Sequence, residues 1–80
     1  MQSELIEQKM RKVMGQVFKL PVESIAADAS RENLEQWDSL KHLNLMLALE
    51  DALGVEFSDA EIAEINSYQG LVTALRHKSS

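Results

Sequence analysis

The residue of this chain best placed to do chemistry is Ser39, in the run Trp37-Asp38-Ser39-Leu40. The apolar spacing after this run predicts a helix that begins at Asp38 or Ser39, so the serine hydroxyl falls in a first helical turn. Backbone N–H groups point outward from a first turn and favour a phosphate. The position is therefore typical of a serine that carries a phosphate-linked group, although Asp-Ser at a helix start is also an ordinary capping pattern.

Hydrolytic chemistry finds less support. Ser39 and His42 are spaced so that their side chains can touch on one helix. A triad also needs an orienting acid and an oxyanion hole in a dry cleft, which a small helical domain does not readily offer. We therefore expect His42 on the helix surface, His77 as a cation at a helix C-terminus, and no catalytic residue. No metal site is expected either, because the chain lacks cysteine and the acidic residues do not have calcium-loop spacing.

The helix that follows Ser39 has two apolar stripes. One consists of Leu45, Leu49 and Leu53, with Met46 at its edge, and is predicted to face the core. The other consists of Leu40, Leu43 and Leu47. A helix that is apolar nearly all round must be buried all round or must present one face to a partner. We expect the second stripe to be that face.

The first helix and the segment after it are predicted as follows. Ser3 caps a helix that stops before Pro21, and Gly15 weakens it modestly. Residues 20–38 show no sustained period, but we expect them to pack on the bundle as a long crossover with a short helical turn over 21–25. The expected apolar anchors of this crossover are Leu20, Val22, Ile25, Leu34 and Trp37.

The remaining signals complete an all-α domain. Gly54 suits the left-handed end of the second helix. Ser58 and Glu61 form a capping box for a short third helix that ends near Asn66, with Phe57 and Ile62 as the matching hydrophobic staple. Ser67 caps a fourth helix. No segment alternates with a period of two, so the predicted fold is a four-helix bundle with a short third helix and a long loop between the first and second helices, formed by one domain over residues 1–80.

The charge balance and the lack of long apolar stretches exclude several classes of partner and location. The chain has 80 residues, 8 basic and 13 acidic side chains, and a formal net charge of −5. This balance argues against nucleic acid, which requires a basic surface, and suits basic protein partners. The N-terminus lacks the basic start and apolar run of a signal peptide, and no apolar stretch is long enough to span a membrane. We therefore expect a cytoplasmic monomer without membrane insertion.

The chain resembles an acyl carrier protein over nearly its whole length. The resemblance is carried by Asp38-Ser39-Leu40, by Leu45-Met46-Leu47-Ala48-Leu49-Glu50-Asp51, and by the stretch from Gly54 to Asp59. The family is a small acidic four-helix bundle that is not itself an enzyme. Its Asp-Ser-Leu serine is modified by a phosphopantetheinyl transferase, which uses coenzyme A and magnesium. The resulting 4′-phosphopantetheine arm ends in a thiol, so a chain without cysteine can hold acyl groups as thioesters.

This resemblance implies roles for particular residues. Ser39 is the attachment residue, and Asp38 precedes it in the cofactor-binding motif. Acyl-loading, condensing or acyl-transferring enzymes dock on the second helix, through Leu40, Lys41, Leu43, Asn44, Leu47, Glu50 and Asp51. An acyl chain is sheltered between the second and third helices, in a pocket lined by Leu49, Phe57, Ile62, Ile65 and Tyr68. Plain hydrophobic core is the other interpretation of these pocket residues.

The chain also departs from the fatty-acid carrier pattern. Gln36-Trp37 replaces a small pair before Asp-Ser-Leu, and Lys41 and Asn44 stand where carboxylates are expected. Charges at the rim of an interface tune the choice of partner more than the fold. We therefore expect a specialised rather than a housekeeping carrier in fatty-acid, polyketide or related lipid biosynthesis. The alternatives are an aminoacyl or peptidyl carrier of nonribosomal synthesis and an unmodified helical protein-interaction domain.

Overall fold

The structure is a computed structural model that describes the backbone of residues 2–79 and the side chains of residues 4–78. Its elements are helix α1 (Gln2–Phe18), a 3-10 turn (Val22–Ser24), and helices α2 (Ser39–Leu53), α3 (Asp59–Glu64) and α4 (Tyr68–Ser79). The described residues form no strand, only an isolated antiparallel bridge between Ser30 and Ser67. The predicted all-α bundle with a short third helix and a long loop is confirmed. Over the same residues, no helix has the length and apolar character needed to cross a membrane.

The end of α1 differs from the prediction. The helix stops at Phe18 because Lys19 takes a left-handed conformation with φ 58°, and Leu20 N–H donates to the Gly15 carbonyl at 3.0 Å. This closing turn, and not Pro21, terminates the helix. A Cβ at Gly15 would lie 2.9 Å from the Leu20 carbonyl oxygen, so Gly15 permits this turn and does more than weaken the helix. The helix already includes Gln2, and the predicted Ser3 cap concerns a side chain outside the described set.

The long crossover packs on the bundle as expected. Ile25 and Trp37 are buried, and Leu20 and Leu34 pack against the core. Val22 is the exception, because its side chain is exposed, while its carbonyl accepts from the Ile25 N–H and from the Arg11 guanidinium. The predicted helical turn is present as the 3-10 turn. The crossover therefore has a fixed path from α1 to the start of α2.

The caps of the later helices follow the sequence pattern. Gly54 ends α2 with φ 66°, and the reciprocal Ser58–Glu61 capping box starts α3. Ser67 Oγ accepts from the Gly70 N–H at 3.1 Å and caps α4. Hydrogen bonds from the Ser58 backbone N–H and from the Lys78 ammonium lower the pKa of Glu61 below its ordinary value. The box therefore contributes stability at neutral pH, and this contribution is lost as the pH falls through the lowered pKa.

A polar network joins α1 to α4. The Tyr68 hydroxyl donates to the Glu7 carboxylate at 2.5 Å and accepts from the Arg11 guanidinium at 3.0 Å. Arg76 lies 3.8 Å from the other oxygen of Glu7. Burial, followed by the hydrogen bond to Glu7, raises the pKa of Tyr68 above its ordinary value of 10.0.

This network predicts a loss of stability in alkali. Because the pKa of Tyr68 is higher in the folded state, its contribution is complete below the unfolded pKa and is lost as the pH rises through the folded value. We expect the free energy of unfolding to fall more steeply between neutral and alkaline pH in the wild type than in Tyr68→Phe. Tyr68 is the only tyrosine, so its ultraviolet absorbance titration reports this group directly. Equal slopes for the two proteins would contradict the prediction.

Candidate functional site

The start of α2 presents the Ser39 hydroxyl to solvent. Asp38, and not Ser39, is the N-cap, because its carboxylate accepts from the Lys41 N–H at 2.8 Å and its carbonyl accepts from the His42 N–H at 2.8 Å. Ser39 is therefore the first residue of the helix, and its side chain is exposed. A cap formed by Asp38 leaves the Ser39 oxygen available for chemistry.

The backbone around Ser39 suits an attached phosphate. The first N–H groups of a helix have no acceptor inside the helix. Asp38 accepts from the N–H of Lys41. Ser39 and Leu40 are the first two residues of α2, so their N–H groups belong to the same helix end. They form, with the positive end of the helix dipole, a setting that favours an anion bound to the Ser39 oxygen.

Arg31 adds a side-chain cation to this setting. Its guanidinium donates to Ser39 Oγ at 2.7 Å, across the turn residues that precede α2. Arg31 was not predicted from the sequence, because its position in a loop without periodicity carries no signal for contact with a residue eight positions later. A bond in which Arg31 is the donor leaves the hydroxyl hydrogen of Ser39 uncommitted.

The exposed stripe of α2 continues from Ser39. Leu40, Leu43 and Leu47 are 67%, 45% and 54% exposed, while Leu45 and Leu49 are fully buried. Helical spacing places Leu43 and Leu47 on the same face as Ser39. The two-stripe prediction is confirmed for exposure, and we call Leu40, Leu43 and Leu47 the leucine face.

The polar residues expected at a docking surface divide into two groups. Asn44 and Asp51 are exposed, and Lys41 is half-buried. The Glu50 carboxylate, in contrast, accepts from the Phe57 N–H at 2.8 Å and ties α2 to the segment before α3. Glu50 therefore has a structural use that its acidic character did not reveal.

His42 is the clearest error of the sequence prediction. Its side chain is buried, with 4% of it exposed. Instead of lying on the surface, it connects α2 to the crossover and to α3. The Trp37 indole N–H donates to His42 Nδ1 at 2.9 Å, and His42 Nε2 lies 2.7 Å from the Ile62 carbonyl oxygen. Because the indole can only donate, His42 Nδ1 must accept and His42 Nε2 must carry the hydrogen. The same contacts confirm Trp37 as a loop anchor.

The predicted pocket residues are part of the hydrophobic core. Leu49, Phe57, Ile65 and Tyr68 are buried, and Ile62 packs against them partly buried. The Tyr68 hydroxyl is directed to Glu7 and Arg11 of α1, so this residue is placed between α4 and α1. The other four residues belong to α2, α3 and the segments that flank α3.

Residues 8–75 match the family described as "Phosphopantetheine attachment site". Acyl carrier protein 3 of Ralstonia nicotianae is 32% identical over 73 residues, which cover 91% of this chain and 84% of that protein. The acyl carrier protein of Buchnera aphidicola subsp. Schizaphis graminum is 27% identical over 74 residues, which cover 92% of this chain and 94% of that protein. The solution structure of holo acyl carrier protein from Geobacter metallireducens has a TM-score of 0.80 at 23% identity, covering 91% of this chain and 84% of that one.

Fold, exposed helix-start serine and family match together define a carrier domain with a covalently attached prosthetic group. The chain belongs to the acyl carrier protein family, and its prosthetic group is phosphopantetheine. The start of α2 fits such a group, because an exposed hydroxyl, outward N–H groups and a guanidinium meet there. Members of this family work with a transferase and with acyl-handling enzymes.

Proposed function

We propose that this protein is a cytoplasmic, monomeric acyl carrier whose Ser39 holds 4′-phosphopantetheine, and that it delivers acyl thioesters to biosynthetic enzymes without being an enzyme itself. The observation that carries this proposal is the exposed Ser39 hydroxyl at the first position of α2, beside Arg31 and on the same side as the leucine face. When bound, the prosthetic group supplies the thiol that the chain lacks.

The chain's own residues prepare the attachment. Asp38 closes the helix start, so that Ser39 Oγ projects from a fixed turn. During transfer from coenzyme A, the Ser39 oxygen forms the new bond to phosphorus, the pyrophosphate bond breaks with the nucleotide as leaving group, and the hydroxyl proton passes to a base of the transferase. The N–H groups at the start of α2 and the Arg31 guanidinium are the donors of this chain that would hold the phosphodiester. The leucine face lies beside the attachment point, where a partner enzyme that holds the arm also contacts α2.

Intact mass tests the proposal. After incubation with coenzyme A, magnesium and a promiscuous phosphopantetheinyl transferase, the wild-type chain should gain the mass of one phosphopantetheine and Ser39→Ala should gain none. Because Asp38 supplies the cap, the free energy of unfolding of Ser39→Ala should lie within about 0.5 kcal/mol of the wild-type value. Ser24→Ala, which removes another exposed hydroxyl, is the matched control and should be modified normally. Uptake by Ser39→Ala equal to that of the control would refute the assignment.

We further propose that the acyl cargo belongs to a specialised pathway and not to housekeeping fatty-acid synthesis. Support comes from Lys41 and Asn44, which lie in the N-terminal half of α2 beside the leucine face. A partner enzyme with a basic docking patch would contact a cation at Lys41 where a fatty-acid carrier has a carboxylate, so the charges at this position are not complementary. Electrostatic complementarity mainly sets the rate of association and the choice of partner.

Charge reversal on α2 should therefore change partner preference. Lys41→Asp combined with Asn44→Glu should raise the rate of malonyl loading by a fatty-acid synthase enzyme with a basic docking patch. Each rim contact is worth about 0.2–1 kcal/mol and weakens with salt. The rates are compared at low and high ionic strength.

The matched control makes the same charge change on α1, at two exposed positions, by Lys12→Asp with Gln16→Glu. The α2 variant should gain more than the α1 variant at low salt, and the difference should shrink at high salt. An equal gain in both variants would mean that net charge, and not the docking face, sets the rate.

A further inference from the structure

Arg31 is held in place before any prosthetic group is attached. Its backbone N–H donates to the Asn66 carbonyl at 3.0 Å, and its neighbour Ser30 forms the antiparallel bridge with Ser67. The turn around Arg31 is closed by Asn33, whose side chain accepts from the Ser30 N–H at 2.9 Å and donates to the Asp28 carbonyl at 2.9 Å. The guanidinium therefore extends from a segment of the crossover that is fixed against Asn66 and Ser67, just before α4.

The charge of Arg31 is not used by another side chain. Among the described side chains, the ion pairs join Arg76 to Glu7 and Lys78 to Glu61, and none includes Arg31. Among the side chains of residues 4–78, its guanidinium donates a hydrogen bond to the neutral hydroxyl of Ser39. In a chain with 13 acidic and 8 basic side chains, a cation directed at a hydroxyl and not at a carboxylate needs an explanation.

We propose that Arg31 is a built-in counterion for the phosphodiester formed on Ser39, so that modification locks the crossover onto the start of α2. This inference rests on the proposed attachment at Ser39. A guanidinium presents several N–H donors in a planar fork, and one contact to Ser39 Oγ leaves others for the phosphate oxygens. The present contact is a hydrogen bond from a cation to a neutral hydroxyl. Attachment to Ser39 Oγ would bring the charged non-bridging oxygens of the phosphodiester within reach of the same guanidinium, so the contact becomes a cation–anion pair without a new path of the chain.

The consequence is a difference between the two forms of the protein. In the unmodified form the Arg31 cation contacts a neutral hydroxyl at the start of α2, and in the modified form it pairs with an anion at the same place. Modification should therefore raise the thermal stability of the fold. The effect should weaken with salt, since the site is open to solvent.

Thermal unfolding of the unmodified and modified forms tests this proposal. We expect modification to raise the Tm of the wild type by a few °C, which is the order of shift that about 1 kcal/mol produces in a domain of this size. In Arg31→Gln most of this rise should be lost, and Arg31→Lys should keep part of it because it retains the charge without the fork. Arg76→Gln, which removes an arginine that pairs with Glu7, should keep the full rise.

Phosphorus NMR of the modified proteins provides a readout without any partner enzyme. The phosphodiester resonance should differ between the wild type and Arg31→Gln, and it should match the wild type in Arg76→Gln. Intact mass confirms that each sample carries the group, and Arg31→Lys provides the comparison if Arg31→Gln is not a transferase substrate. A full rise in Tm and an unchanged resonance in the Arg31 variants would overturn the counterion while leaving the carrier function intact. No uptake by the wild type would overturn both.

Discussion

Replacement of Leu49 by alanine should lower the free energy of unfolding by about 2–5 kcal/mol, because the side chain is fully buried and its removal leaves a cavity in the core. Leu47→Ala, two positions away on α2, should change it by only about 0.5 kcal/mol, because that side chain is 54% exposed and alanine is a good helix former. Urea unfolding of the two variants beside the wild type measures both values.

The same pair separates folding from docking. Leu47→Ala should keep its stability but slow acyl transfer to partner enzymes, since Leu47 belongs to the leucine face. Leu5→Ala, the same change at a 58% exposed position of α1, is the control for loss of an exposed leucine outside the leucine face. Equal losses of stability for Leu47→Ala and Leu49→Ala would show that α2 is buried on both stripes and that no face is left for a partner.

His42→Leu should also be strongly destabilising. It leaves the indole N–H of Trp37, which is 1% exposed, without its acceptor, and it removes the donor to the Ile62 carbonyl. Each unsatisfied buried polar group costs about 1–3 kcal/mol. Asn44→Leu, an exposed change on the same helix, should cost about 0.5 kcal/mol or less.

A double-mutant cycle isolates the Trp37–His42 contact. Trp37→Phe removes the donor, so the loss in Trp37→Phe/His42→Leu should be smaller than the sum of the two single losses. Nitrogen NMR of the wild type provides an independent check, since His42 should carry its hydrogen on Nε2 and accept at Nδ1. Additive losses, or a hydrogen on Nδ1, would rule out this bond.

The parts of the fold that the sequence predicted depend on local patterns. Ser58 and Glu61 have the spacing of a capping box, Gly54 stands where a left-handed residue is needed, and the two leucine stripes follow the helical period. These signals depend on residues within a few positions of each other. They can therefore be recognised in a single sequence without information on tertiary contacts. The start of α2 at Ser39 is predictable for the same reason.

The parts that were missed depend on contacts between distant segments. His42 lies in a helix whose pattern allows either burial or exposure, and only the positions of Trp37 and the Ile62 carbonyl decide it. Gly15 is required because Leu20 turns back over it, and Arg31 reaches Ser39 because the crossover is fixed against residues 66–67. No local period encodes these approaches, since each depends on the path of a loop.

The location of the prosthetic group is measured most directly by tryptic peptide mass. Cleavage after Arg31 and Lys41 releases residues 32–41, in which Ser39 is the only serine and no threonine or tyrosine occurs. After treatment with coenzyme A and a phosphopantetheinyl transferase, this peptide should carry the mass of one phosphopantetheine and all other peptides should be unmodified. An unmodified 32–41 peptide from protein that has gained the group elsewhere would contradict the central claim that Ser39 is the attachment residue.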